Sequence, residues 1–299
     1  MRTVYLGTSD FAATVLDRLA TTPHRPALVV TRPDARRGRG RRLAPPPVAE
    51  SAHLLGIEVL QPENVNSDEA RARIADARPE AVVICAYGAL IREPLLSEHE
   101  MVNVHPSLLP RWRGAAPVER AIEAGDEETG VTIMRPTAEL DAGPIALQRA
   151  EAIDPDDDYG ALSQRLATLA GELLVEALDL EPPFHEQPDT GVTYAEKIGP
   201  EDRLLDPELT PDMLERRVRA LHPHVGAYVE LPWDERLGVN RAAIATGDGP
   251  PPGELAVSDG RLLYGAAGGA LELREVHPAG RRPMGAEDWI RGYAERLTG

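Results

Sequence analysis

The sequence predicts a two-part α/β protein: a parallel sheet wrapped by helices, followed by a small β-barrel. Three observations lead there. The chain has 299 residues, long enough for two domains. Its first half alternates short apolar runs with helix-like segments, the pattern of βαβ units around a parallel sheet. Its C-terminal third instead carries closely spaced strand-like pieces broken by Gly and Pro, the pattern of a small barrel.

In chain order, "RTVYL" (2–6) is a first strand ending at Gly7, and "FAATVLDRLA" (11–20) has helical spacing. "ALVVT" (27–31), "IEVL" (57–60), "AVVICA" (81–86) and "MVNVH" (101–105) are further strands. "PVAESAHLLG" (47–56) and "SDEARARIADA" (67–77) are helices between them. "GALSQRLATLAGELLVEALDL" (160–180) is a long amphipathic helix, with Asp156 to Asp158 where a helix N-terminus favours negative charge. The first part is therefore a Rossmann-like domain over residues 1–180, carrying a basic loop at 32–44. Residues 181–206, rich in Pro and charge, read as a linker, and 207–299 as an OB-like barrel domain opened by the helix "TPDMLERRVRALH" (210–222).

The totals exclude several classes. No apolar stretch approaches the ~20 residues of a membrane span, and "MRTVYLGTSDFAATVL" does not read as a signal peptide. The single cysteine, Cys85, allows no disulfide within the chain and fits a reducing cytosol, so a cytoplasmic protein is expected. Within "AVVICAYGAL" it reads as a small core residue. A net charge of −17 argues against broad nucleic-acid binding. Yet "RPDARRGRGRR" (32–42) holds six arginines against one aspartate, a basic island on an acidic protein.

Four stretches are candidates for chemistry. "LGTSDFAATVL" has one Gly where a dinucleotide fingerprint needs G-x-G-x-x-G, so a plain strand-to-helix turn is favoured over a nicotinamide site. "AYGALI" (86–91) ends a strong strand, where open α/β sheets bind ligands; Tyr87 and Gly88 there fit a ligand wall or a simple turn equally. In "NVHPSLLPRWRG" (103–114), Asn103 and His105 share a strand face, and Pro106 keeps His105 out of a helix. On its own this N-x-H is more commonly a hydrogen-bonded loop histidine than an active site. In "AELDAGPIALQ" (138–148), Asp141 lies in ordinary Asp-Ala-Gly turn chemistry. No C-x-x-C or H-E-x-x-H occurs, so the sequence supports no metal site.

Together these pieces are far more specific. "LGTSDFA", "ENVN", "AYGALI", "NVHPSLLPRWRGAAPVERAI", "GDEETGVTIM" and "LDAGPI" occur in the order and spacing that resemble the folate-dependent formyltransferases. The resemblance spans the chain and is strongest over residues 1–180. It implies 10-formyltetrahydrofolate as co-substrate and Asn103, His105 and Asp141 as the catalytic trio. It further implies that Ser107, Leu108, Leu109 and Pro110 contact the folate, with Tyr87, Gly88 and Leu90 lining the pterin pocket.

The basic island resembles the loop with which the tRNA-acting members reach the acceptor stem, which implies that Arg36, Arg37, Arg39, Arg41 and Arg42 contact tRNA. The C-terminal segment resembles the β-barrel of the same members. The expected acceptor is therefore the amino group of initiator methionyl-tRNA, and the expected enzyme a cytoplasmic monomer supporting translation initiation. The alternatives are a sugar-nucleotide N-formyltransferase with the same donor, and a non-catalytic folate- or RNA-binding relative. Two stretches depart from the family's pattern: "HPHV" (222–225) stands where an aromatic-Pro pair is usual, and "PEDRLLDP" (200–207) lacks a common Trp.

Overall fold

A computed structural model describes residues 1–37 and 42–298. The chain divides into two compact units, which do not follow sequence order. Unit 1 comprises Met1–Pro117, Glu128–Ala152 and Ser163–Ala195; unit 2 comprises Val118–Glu127, Ile153–Leu162 and Glu196–Gly299.

Unit 1 opens with strand β1 (Thr3–Gly7), helix α1 (Asp10–Ala20) and β2 (Pro26–Val30). A hairpin of β3 (Ala35–Arg37) and β4 (Arg42–Ala44) comes next, then α2 (Pro47–Leu55), β5 (Glu58–Leu60), α3 (Asp68–Asp76) and β6 (Ala81–Cys85). After the short α4 (Leu95–Glu98) come β7 (Met101–His105) and β8 (Arg113–Gly114). Helix α5 (Pro117–Ala124), which belongs to unit 2 from Val118 on, leads to β9 (Glu128–Met134) and β10 (Ile145–Ala152). Then come α6 (Tyr159–Leu180), whose first turn is also in unit 2, and β11 (Tyr194–Ala195).

The helices start where the sequence supplies caps: the Ser9 and Ser67 hydroxyls accept the Ala12 and Ala70 N–H groups at 3.3 Å. β1 and β6 are buried at every position, as continuous apolar runs covered on both faces must be. The sheet order is β10-β9-β7-β6-β1-β2-β5. The five strands from β7 to β5 run parallel. β9 and β10 extend the sheet antiparallel, with Asn103 opposite Met134 and His105 opposite Thr132. Neither strand announces itself in the sequence, since "ETGVTIM" mixes small and polar residues and β10 alternates at an exposed edge.

Strand order reverses about β1, so the carboxyl ends of β1 and β6 flank the crevice where such sheets take ligands. The Thr8 hydroxyl ties them, donating to the Tyr87 carbonyl at 2.6 Å. Residues 181–195, expected as the start of a linker, are built into unit 1. They carry backbone partners: His185 bridges Ile145, and β11 runs parallel to β8.

Unit 2 holds α7 (Pro211–Leu221), strands β12 (Ala227–Glu230), β13 (Arg236–Ile244), β14 (Leu255–Ser258), β15 (Arg261–Ala266), β16 (Gly269–Pro278) and β17 (Met284–Gly285), and α8 (Ala286–Thr298). The strands form one antiparallel sheet, β12-β13-β16-β15-β14, with β17 on β16. Its core gathers Leu214, Val218, Leu237, Leu262, Leu271 and Val276 with the fully buried Trp289. The "HPHV" departure lies wholly in this unit. His224 stacks on Tyr159 at 3.6 Å and its Nε2 meets Glu119 at 2.9 Å, so the imidazole fills an aromatic's role and adds a polar tether. No described helix is long and apolar enough to cross a membrane.

Candidate active site

The site grows from the end of β7. Period-two alternation puts Asn103 and His105 on one face of the strand. The Asn103 amide points at the Met134 Sδ, 3.7 Å away. A thioether is a weak acceptor, so this contact leaves most of the amide's donor capacity available.

His105 is 4% exposed, and its Nε2 lies 2.9 Å from the Trp112 carbonyl. A carbonyl can only accept, so Nε2 carries a proton and Nδ1 is the basic nitrogen. Trp112 reaches this position through a left-handed φ of 63°. Nδ1 faces the Asp141 Oδ2 at 3.7 Å. That is too long for a hydrogen bond and close enough for charge to act. The ring is thus oriented by Trp112, and the carboxylate sits where an imidazolium would need it.

Asp141 itself stands in a left-handed turn, φ 47°, and its Oδ2 accepts the Gly114 N–H at 2.9 Å. Gly114 has a φ of 124°, and a Cβ there would lie 2.6 Å from the Ala195 carbonyl oxygen. Only glycine fits.

The "PSLLP" wall is a locked polar network. Ser107 is fully buried, and its hydroxyl donates to the Arg111 carbonyl at 2.7 Å. The buried Thr132 hydroxyl donates to the Ser107 carbonyl at 2.6 Å and accepts the Leu109 N–H at 3.2 Å. Gln148 donates to the Leu109 carbonyl at 2.8 Å and to the Thr132 hydroxyl at 2.9 Å. Leu109 is buried, Leu108 lies against Gly130, and the Pro110 carbonyl accepts the Thr193 N–H at 3.4 Å.

At the end of β6 the residues part company. The Tyr87 ring packs among Val4, Leu6, Val30 and Leu95, and its buried hydroxyl finds no hydrogen-bond partner among the described residues. Burial pushes its phenol up to about 12, against the opposing pull of Arg32. Gly88 has a φ of 76° with open space around it, and Leu90 is 63% exposed, so the rim beyond the strand is open. Cys85 is a buried core residue, its thiol also pushed up to about 12 by burial.

Residues 1–178 match the family described as formyl transferase, and residues 197–294 match the formyl transferase C-terminal domain. The chain belongs to the formyl transferase family. A methionyl-tRNA formyltransferase of Halorhodospira halophila (strain DSM 244 / SL1) is 42% identical over 302 residues, covering 97% of this chain and 96% of that protein. Two solved structures share the fold at lower identity. A methionyl-tRNA formyltransferase from Clostridium thermocellum superposes with a TM-score of 0.59 at 15% identity, over 83% of this chain and 95% of that one. An N-formyltransferase from Helicobacter canadensis, solved with folinic acid and dTDP-3-aminofucose, gives 0.65 at 13% identity, over 91% and 98%.

Within this formyltransferase, "RWRG" has a structural account that its sequence lacks. The Arg111 guanidinium lies 4.3 Å over the Trp112 ring. Arg113 is 8% exposed and turns into the site's frame. Its Nε and Nη2 both donate to the Gln187 Oε1, at 3.1 and 2.8 Å. Sequence reading missed Gln187, Thr132, Gln148 and the Gly114 N–H. The first lies in the expected linker, and the others lie inside quoted motif stretches where nothing in their own residue type marks a role.

The basic island is a hairpin: Arg36 pairs with Leu43 and Arg37 with Arg42. Arg36 and Arg42 are exposed, while Arg39 and Arg41 lie outside the described residues.

Proposed function

We propose that this chain transfers the formyl group of 10-formyltetrahydrofolate to the amino group of initiator methionyl-tRNA. One observation carries the reading: 42% identity along essentially the whole chain to a methionyl-tRNA formyltransferase. The acceptor distinguishes this reading from sugar N-formylation, because likeness to the Helicobacter canadensis enzyme is a likeness of fold at 13% identity.

The folate supplies the formyl carbon, which the acceptor amine attacks. The bond from that carbon to N10 then breaks, and tetrahydrofolate leaves with N10 carrying the proton that the amine gave up. This chain supplies what that attack needs. Asn103 donates its amide N–H to the charge developing on the formyl oxygen. His105 takes the amine's proton on Nδ1, the nitrogen left basic by the Trp112 contact. Asp141, 3.7 Å from that nitrogen, stabilises the resulting imidazolium. Ser107, Leu108, Leu109 and Pro110 form the folate wall. The open rim at Gly88 and Leu90 admits the pterin, while Tyr87 supports that rim from the core. The exposed hairpin arginines, with Arg39 and Arg41 between them, meet acceptor-stem phosphates. We read the enzyme as a cytoplasmic monomer.

The test is formyl transfer from 10-formyltetrahydrofolate, with charged initiator tRNA and a dTDP-amino sugar offered separately. Turnover of the tRNA alone is expected. Turnover of the sugar nucleotide alone overturns the reading.

A further inference from the structure

We infer that Arg113 and Gln187 are positioning residues for the reaction, acting by gripping the backbone that carries Asp141. The inference rests on the proposed formyl transfer and concerns residues outside the Asn103, His105, Asp141 trio. Gln187 Nε2 donates to the Asp141 carbonyl at 2.7 Å and to the Gly143 carbonyl at 2.8 Å. Its Oε1 accepts both near nitrogens of the Arg113 guanidinium.

The amide can face only one way. Guanidinium groups only donate and carbonyls only accept, so one side chain must offer an acceptor to Arg113 and two donors to the turn. Gln does this; Glu, Leu and Met do not. The third guanidinium nitrogen, Nη1, lies 3.7 Å from Glu139, which is mostly exposed. Arg113 is anchored in turn by its own backbone, whose N–H donates to the Thr193 carbonyl at 2.9 Å.

This grip has a definite purpose. Asp141 holds a left-handed φ of 47°, which an L-residue adopts at a cost. Its carboxylate is anchored by the Gly114 N–H, and it stands 3.7 Å from His105 Nδ1, beyond hydrogen-bond reach. Gly114 follows Arg113 directly, so one dipeptide sets both ends of Asp141: Gly114 its carboxylate, and Arg113, through Gln187, its carbonyl. A buried guanidinium is costly unless fully used, and here it is used on the turn that aims the carboxylate.

The test is a double-mutant cycle on the full chain, run with whichever acceptor the wild type formylates. Gln187→Glu is the informative variant. It keeps Arg113 paired by charge while placing a carboxylate against two carbonyls. We expect kcat to fall by about 10- to 100-fold, the scale of a misplaced catalytic group, with the KM for folate little changed. In an Asp141→Asn background the same change is expected to cost less than about twofold more, because the grip has nothing left to aim. Arg113→Lys, which keeps the charge and loses the fork, gives an intermediate loss and serves if Gln187→Glu does not fold. Melting temperatures of all variants separate unfolding from misplacement.

Losses that multiply in the double mutant, or an unchanged kcat in the folded single variants, overturn the positioning role while leaving the proposed function standing. A wild-type chain that formylates neither acceptor overturns both.

Discussion

In the parallel-sheet unit His105, Ser107, Arg113 and Thr132 are all less than a tenth exposed, and each is hydrogen-bonded. In the antiparallel-sheet unit the interior is mostly Leu, Val and Ala with Tyr264 and Trp289, and charges pair along α7, as Arg216 with Asp212 and Arg219 with Glu215. Burying a polar group costs stability unless its partners are in place. The second unit incurs that cost at fewer places, as at Asp157 and the Tyr264 hydroxyl. The first incurs it at more positions, and four of them, His105, Ser107, Arg113 and Thr132, belong to the segments that build the site. Those four buried polar groups mark where this molecule trades stability for oriented chemistry.

The comparison breaks most decisively at His105. His105→Ala is expected to lower kcat by about 10²–10⁴, the range for a general acid or base, in a protein whose melting temperature changes little. Trp289→Ala is the counterpart in the other unit. It should cost about 3–5 kcal/mol of stability and leave kcat of the folded enzyme at saturating tRNA near wild type. If the two variants exchange these outcomes, the division between the units is wrong.

Asn103→Ala comes next, with a loss of about 10²–10³ in kcat, as for an oxyanion-hole donor. Single-turnover rates with both substrates saturating check this, and a rate near wild type removes Asn103 from the chemistry. Gly114→Ala combines both effects: a Cβ meets the Ala195 carbonyl and displaces the donor to Asp141. A stability loss of about 1–3 kcal/mol is expected from the strained backbone, together with a fall in kcat. Denaturant unfolding and initial rates on the same preparation measure the two.

Replacing Arg36, Arg37 and Arg42 together by Ala should leave kcat at saturating tRNA unchanged and weaken tRNA binding. The slope of log affinity against log salt should become shallower by about 0.9 for each phosphate that the variant no longer neutralises. An unchanged slope removes the hairpin from the interface.

The smallest effect is alkaline. Cys85 and Tyr87 in unit 1, and Tyr264 in unit 2, are each pushed up to about 12 by burial, from ordinary values of 9.0 for the thiol and 10.0 for the phenols. Tyr5, beside Cys85, is also raised well above its ordinary value by burial. Below pH 9 both states keep these protons and the contribution to stability is complete. Between about 9 and 12 the unfolded chain releases protons that the folded chain retains, so stability falls as pH rises. With three of the four groups in unit 1, that unit should lose more. Urea midpoints followed by Trp112 fluorescence in unit 1 and Trp289 in unit 2, each as the sole tryptophan, compare them at neutral and alkaline pH.

Much of this was legible in the residues. Continuous apolar runs announced β1 and β6 because strands buried on both faces must be apolar throughout. Asn103 and His105 share a face because strand alternation is a local property. β9 and β10 were not legible, since their partners in the sheet, rather than their own composition, make them strands. Nor was the service of residues 185–195 to the site. A stretch of Pro, acid and amide reads as linker until its bridge to Ile145 and its pairing with β8 are seen.

The sequence by itself determined the two-part α/β architecture, the family, and which side-chain types stand at 103, 105 and 141. These rest on periodicity and on motifs whose members lie close together in the chain. Only the tertiary structure decided which nitrogen of His105 is basic, what holds Asp141 in a left-handed turn, and why Arg113 is buried. Those answers depend on hydrogen bonds between residues 7 to 74 positions apart, from His105 to Trp112 at one extreme and from Arg113 to Gln187 at the other. Such bonds leave no periodic trace in the sequence, because a hydrogen bond requires only that donor and acceptor meet in space.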